Sequence, residues 1–153
     1  MTNPLLTNWD TPFELAPFNR ISDEDFEPAF EEALERHQAE IAKIASNPDQ
    51  PTFANTIEAL EASGEALDKV LSVFFTVSGA DSNPARAELQ RLFSPKLAAH
   101  ASSITSNKKL FDRVATVWKA RTEGTLNDEQ QRVLMLTHRG FVRAGASLQG
   151  DED

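Results

Sequence analysis

The chain of 153 residues contains no cysteine. Without thiols, disulfide bonds, thiolate metal sites and a cysteine nucleophile are all excluded, and a reducing compartment is a natural setting. No apolar run approaches the roughly 18 residues that a membrane-spanning helix requires. The first ten residues, MTNPLLTNWD, have neither the basic start nor the apolar stretch of a signal peptide. We therefore expect a cytoplasmic protein that does not enter a membrane.

Motifs that carry chemistry are also missing. None of the three histidines, His37, His100 and His138, is followed by glutamate or by a second histidine four residues later. A zinc peptidase needs the pattern His-Glu-x-x-His to place two imidazoles and a general base on one helix face. No Gly-x-Ser-x-Gly turn and no glycine-rich phosphate loop after a strand is present either.

The sequence therefore supports no catalytic, cofactor-binding or metal-binding residue. We interpret the three histidines as surface or half-buried helix residues. Their convergence into a metal-dependent active site is the least favoured alternative, because the ligand spacing of known zinc sites is lacking.

The net charge of −9 is unevenly distributed. Residues 1–81 carry 16 Asp and Glu against 4 Lys and Arg, whereas residues 82–153 carry 8 against 11. The acidic half would repel phosphate backbones. The cations of the second half are scattered rather than clustered, so a nucleic-acid partner is not expected. The carboxylates are interpreted as solvated helix faces.

The first 21 residues predict an extended arm. Pro4, Pro12 and Pro17 fix their own φ angles and bias the preceding residues towards extended geometry. The arm contains aromatic side chains such as Trp9 and Phe13, whose exposure to water is unfavourable. We therefore expect it to lie along the helices that follow.

Apolar residues from position 22 onward recur at steps of three and four, which predicts helices throughout. No alternating strand pattern occurs. The fold class is predicted as all-α, an antiparallel bundle of about five helices joined by short turns. We expect a helical domain over residues 22–150 and a short tail at 151–153.

Local signals predict where the helices begin and end. The first helix is predicted to start at Ser22, paired with Asp25, and to end at Asn47-Pro48; the second covers Phe53–Ser78, with Asn55 and Glu58 as its capping pair and a break or close contact at Gly64. The third helix is predicted from the N-cap Asn83 to Ile104, with a kink at Pro95. The fourth helix carries Leu110–Trp118 and is ended by Gly124, and the fifth runs from Asn127 to Leu148.

The segment RGFVRAGASL at 139–148 combines small residues with two arginines. The small residues at 144–147 predict a close approach to a neighbouring helix. Arg139 and Arg143 lie one helical turn apart, and we expect them to form a structural salt link with the acidic half.

Ten segments, taken in chain order, carry a family resemblance. They are NPLL at 3–6, WDTPF at 9–13, PF at 17–18, DEDFEPAFEEAL at 23–34, PTFANTIEALEASG at 51–64, VFFTVSGADSN at 73–83, LFSPKLAAH at 92–100, LFDRV at 110–114, DEQQRVL at 128–134 and RGFVRAGASL at 139–148. Together they resemble the N-terminal lobe of the thimet oligopeptidase, oligopeptidase A and peptidyl-dipeptidase family of zinc metallopeptidases. Each segment is weak alone, and their shared order makes the resemblance specific.

The resemblance implies a mostly helical enzyme with two lobes around a channel that admits short peptides. The zinc ligands of such enzymes lie downstream of the matched region, so none maps onto this chain. The chain is then expected to be a non-catalytic N-terminal lobe, a fragment or truncated product that is inert alone, with zinc only in the parent. Its expected partners are the parent's catalytic lobe or, through exposed apolar helix faces, a second copy in a two-fold dimer. The alternative is a free-standing helical module that binds proteins or peptides.

Overall fold

The computed structural model describes residues 2–124 and 126–146. The predicted all-α class is confirmed, because helices dominate these residues and none of them lies in a strand. Five helices of twelve or more residues are present, as predicted. Leu148 and the predicted tail at 151–153 lie outside the described residues. The α-helices are α1 (Phe26–Ala45), α2 (Ala59–Ala62), α3 (Glu65–Ala80), α4 (Pro84–Thr105), α5 (Lys108–Lys119) and α6 (Asp128–Arg143).

The described residues form two compact units. The first contains residues 2–39 and 64–98, and the second contains residues 40–63, 99–124 and 126–146. Each unit has its own cluster of buried apolar side chains. The predicted division into an arm at 1–21 and a helical domain at 22–150 stays a prediction.

Phenylalanine rings form the centre of the first unit. Phe30 and Phe93 stack with their ring centroids 4.0 Å apart. The Phe74 ring packs edge-on against those of Phe26 and Phe93, with ring centroids 5.2 and 5.1 Å apart, a geometry that aromatic pairs prefer. All four side chains are fully buried. Leu5 of the N-terminal segment is buried in the same cluster, so at least one turn of that segment contributes to the core.

The N-terminal segment consists of three short 3-10 turns joined by extended residues. The turns are Pro4–Leu6, Pro12–Glu14 and Phe18–Arg20. In the second turn, Phe13 and Glu14 have φ angles of 60° and 54°, a left-handed region that costs non-glycine residues roughly 1–2 kcal/mol each. The Phe13 side chain is 95% exposed. This strained turn therefore presents an aromatic ring to its surroundings.

A small polar network connects the starts of α1 and α4 within the first unit. Asn83 caps α4 as predicted, since its side-chain oxygen accepts from the backbone N–H of Arg86 at 2.8 Å. The Asn83 amide and the Arg86 guanidinium donate to the two oxygens of Asp23 at 2.8 and 2.6 Å. The hydrogen bond from Asn83 and the neighbouring Arg86 together lower the pKa of Asp23. The predicted pairing of Ser22 with Asp25 is also present, at 2.7 Å between the Ser22 nitrogen and the carboxylate.

Gly64 ends the preceding helical segment, which confirms the predicted break. Its φ of 82° lies in the left-handed region, where glycine has no steric penalty. A Cβ atom at this position would lie 2.9 Å from Cε1 of His37, closer than real contacts allow. Both the backbone angle and the imidazole of α1 therefore require glycine here.

The variant Gly64→Ala should lower the free energy of unfolding by about 2 kcal/mol, because alanine strains the backbone and the imidazole must move. Urea titration followed by circular dichroism measures the difference. The matched control is Gly79→Ala, since a Cβ at this α3 position meets no atom within 4 Å. It should raise the free energy of unfolding by about 0.5 kcal/mol. Equal stability of the two variants would contradict this role of Gly64.

Candidate functional site

The second unit contains an open cleft beside the last two turns of α1. Its volume is about 360 Å³, and most of its lining surface is apolar. We name it the α1–α2 cleft. It is lined by Glu40, Lys43, Ile44, Asn47, Asn55, Ala59, Ala62 and Ser63. Because Ala59, Ala62 and Ser63 have short side chains, the groove between the helical segments is left unfilled.

One wall of the cleft begins with a π-helical segment, Phe53–Glu58, that continues directly into α2. Thr52 caps this segment, and its hydroxyl accepts from the Asn55 N–H at 3.1 Å while the Asn55 amide oxygen accepts from the Thr52 N–H at 2.8 Å. The predicted capping pair of Asn55 and Glu58 is therefore wrong. The helical segment starts three residues earlier than that pair requires, so Glu58 already lies inside it.

Arg113 of α5 holds the loop that leads into this wall. Its guanidinium donates to the carbonyl oxygens of Asn47 and Asp49 at 2.8 and 3.0 Å. It also donates to the side-chain oxygen of Asn55 at 2.8 Å. Arg113 is 6% exposed, and no carboxylate among the described residues forms an ion pair with it. Its acceptors among these residues are therefore neutral oxygens, two carbonyls and one amide.

Arg113 is not among the residues that the sequence singles out, although the sequence contains a signal for its burial. Leu110, Val114 and Val117 are buried and share one face of α5. Position 113 falls on the same face by helical spacing, one turn after Leu110. An arginine inside an apolar stripe indicates a buried guanidinium with specific acceptors, which is what the structure contains.

The rim of the cleft carries charge. Lys43 is exposed, and it has no ion-pair partner among residues 2–124 and 126–146. Glu40 lies three residues earlier on the same helix face. Ile44 is buried and forms part of the apolar lining. Chemically, the cleft can accept the apolar part of a ligand while an anionic group of the same ligand faces the ammonium of Lys43.

The three histidines lie on three separate helices, His37 on α1, His100 on α4 and His138 on α6. In the described part of the chain, no group of three or more His, Cys, Asp or Glu side chains is arranged to hold a metal ion. His37 packs against Gly64, and His100 is buried in α4. Within residues 2–124 and 126–146, no donor set is therefore placed to hold the zinc ion that the family resemblance implies for the parent enzyme.

His138 belongs to an aromatic stack between α5 and α6. Its ring lies 4.8 Å from the ring of Trp118 and nearly parallel to it, and 6.0 Å from that of Phe111. The guanidinium of Arg121 covers the Trp118 ring at 3.9 Å. Burial, with a contribution from Arg121, lowers the pKa of His138. The stack therefore favours a neutral imidazole, and His138 acts here as a packing residue.

Arg139 and Arg143 do not form the predicted salt link. Both side chains are exposed, and no carboxylate of the described residues pairs with either of them. Since exposed ion pairs contribute little, water competes effectively for these two guanidinium groups.

None of the helices in the described ranges is long and apolar enough to cross a membrane.

No protein-family profile matches the chain. Individual proteins do match it. Dipeptidyl carboxypeptidase of Escherichia coli is 42% identical over 95% of this chain. The chain belongs to the dipeptidyl carboxypeptidase and oligopeptidase A family. The resemblance described above is thereby confirmed.

Two further relatives extend the comparison. Dipeptidyl carboxypeptidase of Salmonella typhimurium is 41% identical over 99% of the chain. Oligopeptidase A of Escherichia coli is 25% identical over 97% of it. In all three comparisons the chain spans only about a fifth of the relative's length, between 21% and 22%.

Proposed function

We propose that this chain is the non-catalytic N-terminal helical lobe of an oligopeptidase-type zinc metallopeptidase. The observation that carries the proposal is 42% identity to a dipeptidyl carboxypeptidase over nearly the whole chain, within only 21% of that enzyme's length. The sequence contains no His-Glu-x-x-His motif, so the groups that bind zinc and activate water would lie in the rest of such an enzyme.

In this role the helices contribute a wall of the peptide channel, and the chain alone is inert. The parent would hydrolyse short peptides, in keeping with the names of the relatives, and would act in the cytoplasm. Zinc would be bound by the parent only.

The partner of the lobe would be the catalytic lobe of the same peptidase. Its contact surface would include the N-terminal segment, where Phe13, Leu15 and Phe18 are all at least half exposed. Apolar side chains grouped in this way favour a covering partner. In the absence of a catalytic lobe, a second copy of the chain would cover the same side chains in a two-fold dimer.

A chimera tests the proposal. In it, this chain replaces the matching segment of the Escherichia coli dipeptidyl carboxypeptidase. We expect the chimera to release dipeptides from peptide substrates, because the lobe restores the channel. The same enzyme without the segment should lose at least about 100-fold in kcat/KM, since positioning of the substrate is lost.

Two controls complete this experiment. The isolated chain, with added zinc, should cleave nothing. Chelator-sensitive cleavage by the isolated chain would contradict the proposal and indicate an active site within these residues. A folded but inactive chimera would also contradict it, and would favour the alternative of a free-standing helical interaction module.

A further inference from the structure

We propose that the outer face of α6 binds a second copy of this chain, whose α1 supplies glutamates that pair with a row of arginines. We name the two faces the basic stripe and the acidic stripe. The basic stripe consists of Arg132, Leu136, Arg139 and Arg143. The acidic stripe consists of Glu24, Glu27 and Glu35. The contact uses none of the exposed aromatic side chains of the N-terminal segment, and it does not depend on the proposed peptidase role.

The basic stripe runs along the side of α6 that faces away from the core. Its four residues follow one another at steps of four, three and four, which places them on one helix face. All four are exposed, whereas Leu134 and Phe141 of the same helix are buried. Within residues 2–124 and 126–146, none of the three arginines takes part in an ion pair. Their guanidinium groups are therefore available to the planar carboxylates of another molecule.

The acidic stripe lies on one side of α1 and of the 3-10 turn Asp23–Asp25 that leads into it. Its three glutamates are exposed, and no ion pair in the described part of the chain involves them. Two neighbouring carboxylates differ in this respect, because Glu31 pairs with Lys96 and Glu32 with Arg36. One helix thus presents unpaired carboxylates, and another presents unpaired guanidinium groups.

The two stripes match in length and spacing when the helices run antiparallel. Each stripe spans eleven residues between its outermost charges, roughly 16 Å of helix. The facing pairs are then Arg143 with Glu24, Arg139 with Glu27 and Arg132 with Glu35. The carboxylates at the start of α6, Asp128 and Glu129, lie opposite the uncharged Ala39 and Gln38. Opposite charges therefore meet along the contact, and like charges do not.

Other arrangements fit less well. Parallel helices would bring Arg139 to Glu31, which Lys96 already binds, and would leave Glu27 without a cation. Nucleic acid is also a poorer occupant, because the net charge of −9 repels phosphate backbones. A second copy, by contrast, brings its own unpaired carboxylates at the required spacing.

Several weak interactions act together in this contact. A single exposed ion pair contributes little, whereas charges arranged in a row form a network. Leu136, 40% exposed, lies within the basic stripe and would be covered by the second copy. Each copy carries both stripes, so two copies that exchange both contacts form a closed dimer, and contacts that do not close produce longer chains.

Sedimentation equilibrium of the purified chain tests the contact. At about 25 mM NaCl we expect association with a Kd on the order of 100 µM, as for small polar interfaces. At about 300 mM NaCl the association should weaken about tenfold, because salt screens exposed charges. The direction is informative, since salt relieves the net repulsion between two copies that each carry a charge of −9. Weakening by salt therefore indicates complementary stripes rather than an effect of net charge.

Charge reversal tests the pairing residue by residue. The variants Glu27→Arg/Glu35→Arg and Arg132→Glu/Arg139→Glu should each self-associate at least about tenfold more weakly, because like charges then face each other. An equimolar mixture of the two should regain the affinity of the unmodified chain, since every facing pair is again of opposite sign. Both variants keep a negative net charge, so general attraction cannot explain such a recovery.

A third variant is the matched control. Lys109→Glu/Lys119→Glu changes the net charge as much as Arg132→Glu/Arg139→Glu does, at exposed α5 positions outside both stripes. It should leave the Kd unchanged within about twofold. Circular dichroism should show the same helix content in all the variants, because every substituted position is exposed.

Four outcomes would overturn the proposal. The first is a chain that stays monomeric at millimolar concentration in low salt. The second is association that both reversed variants retain, which would assign it to the exposed apolar side chains instead. The third is a mixture of the reversed variants that stays monomeric. The fourth is a monomeric chain that binds a random-sequence DNA duplex through the basic stripe, which would assign these arginines to phosphate groups.

Discussion

Phe74→Ala should lower the free energy of unfolding by about 4 kcal/mol, the largest loss expected for any single truncation discussed here. The Phe74 ring is fully buried and contacts the rings of Phe26 and Phe93. Truncation removes the transfer free energy of the ring and leaves a cavity that these neighbours fill only in part. It also removes three edge-on aromatic contacts, with the rings of Phe26, Phe75 and Phe93. Chemical denaturation at equilibrium gives the difference directly.

The neighbouring residue supplies the control. Phe75 follows Phe74 on α3, but its side chain is 45% exposed. Phe75→Ala should therefore cost about 1–2 kcal/mol, less than half the loss in Phe74→Ala, since its ring is only partly buried and has one edge-on contact, with Phe74. If the two variants were equally stable, the assignment of Phe74 to the centre of the first unit would be contradicted.

Arg113→Ala should lower the free energy of unfolding by about 3 kcal/mol, because three part-buried hydrogen bonds from a buried charged donor are lost at once. The carbonyls of Asn47 and Asp49 and the side-chain oxygen of Asn55 would each lose the donor that Arg113 supplies. Arg113→Lys should recover only part of this loss, since an ammonium cannot reproduce the fork of the guanidinium. The same denaturation experiment measures both variants.

An exposed arginine provides the comparison for Arg113. Arg132 of α6 is exposed, and no ion pair involves it in the described part of the chain. Arg132→Ala should change the free energy of unfolding by no more than about 0.5 kcal/mol. A similar loss of unfolding free energy in Arg132→Ala and Arg113→Ala would indicate a general effect of charge removal rather than the loss of the hydrogen bonds that Arg113 donates to the loop.

Local chemistry made part of this fold predictable. Asn83 before Pro84, Ser22 before Asp25 and Gly64 within an apolar stripe each act through their own backbone or near neighbours, and all three are found as predicted. The all-α class followed in the same way from helical periodicity, which depends only on residues a turn apart.

Features that depend on distant residues were not predictable in this way. One local feature was also wrong: the sequence predicts Asn55 and Glu58 as a capping pair, whereas the capping box of the π-helical segment is formed by Thr52 and Asn55, which lacks the usual Glu or Gln in its third position. The α1–α2 cleft forms where separate chain segments meet, and Arg113 reaches a loop more than sixty residues away. Sequence spacing contains no information about such encounters, although the position of Arg113 on the apolar face of α5 pointed towards burial.

The positions of the two tryptophans give this molecule a pair of optical reporters. Trp9 lies in the first unit beside Lys69, with its indole N–H bonded to the Pro4 carbonyl. Trp118 lies in the second unit against His138. The chain contains no tyrosine, so its near-ultraviolet emission comes almost wholly from these two indoles. Replacing either tryptophan by phenylalanine leaves a fluorophore in one unit only. Emission from the two single-tryptophan proteins during denaturation thus distinguishes a single cooperative transition from two independent ones.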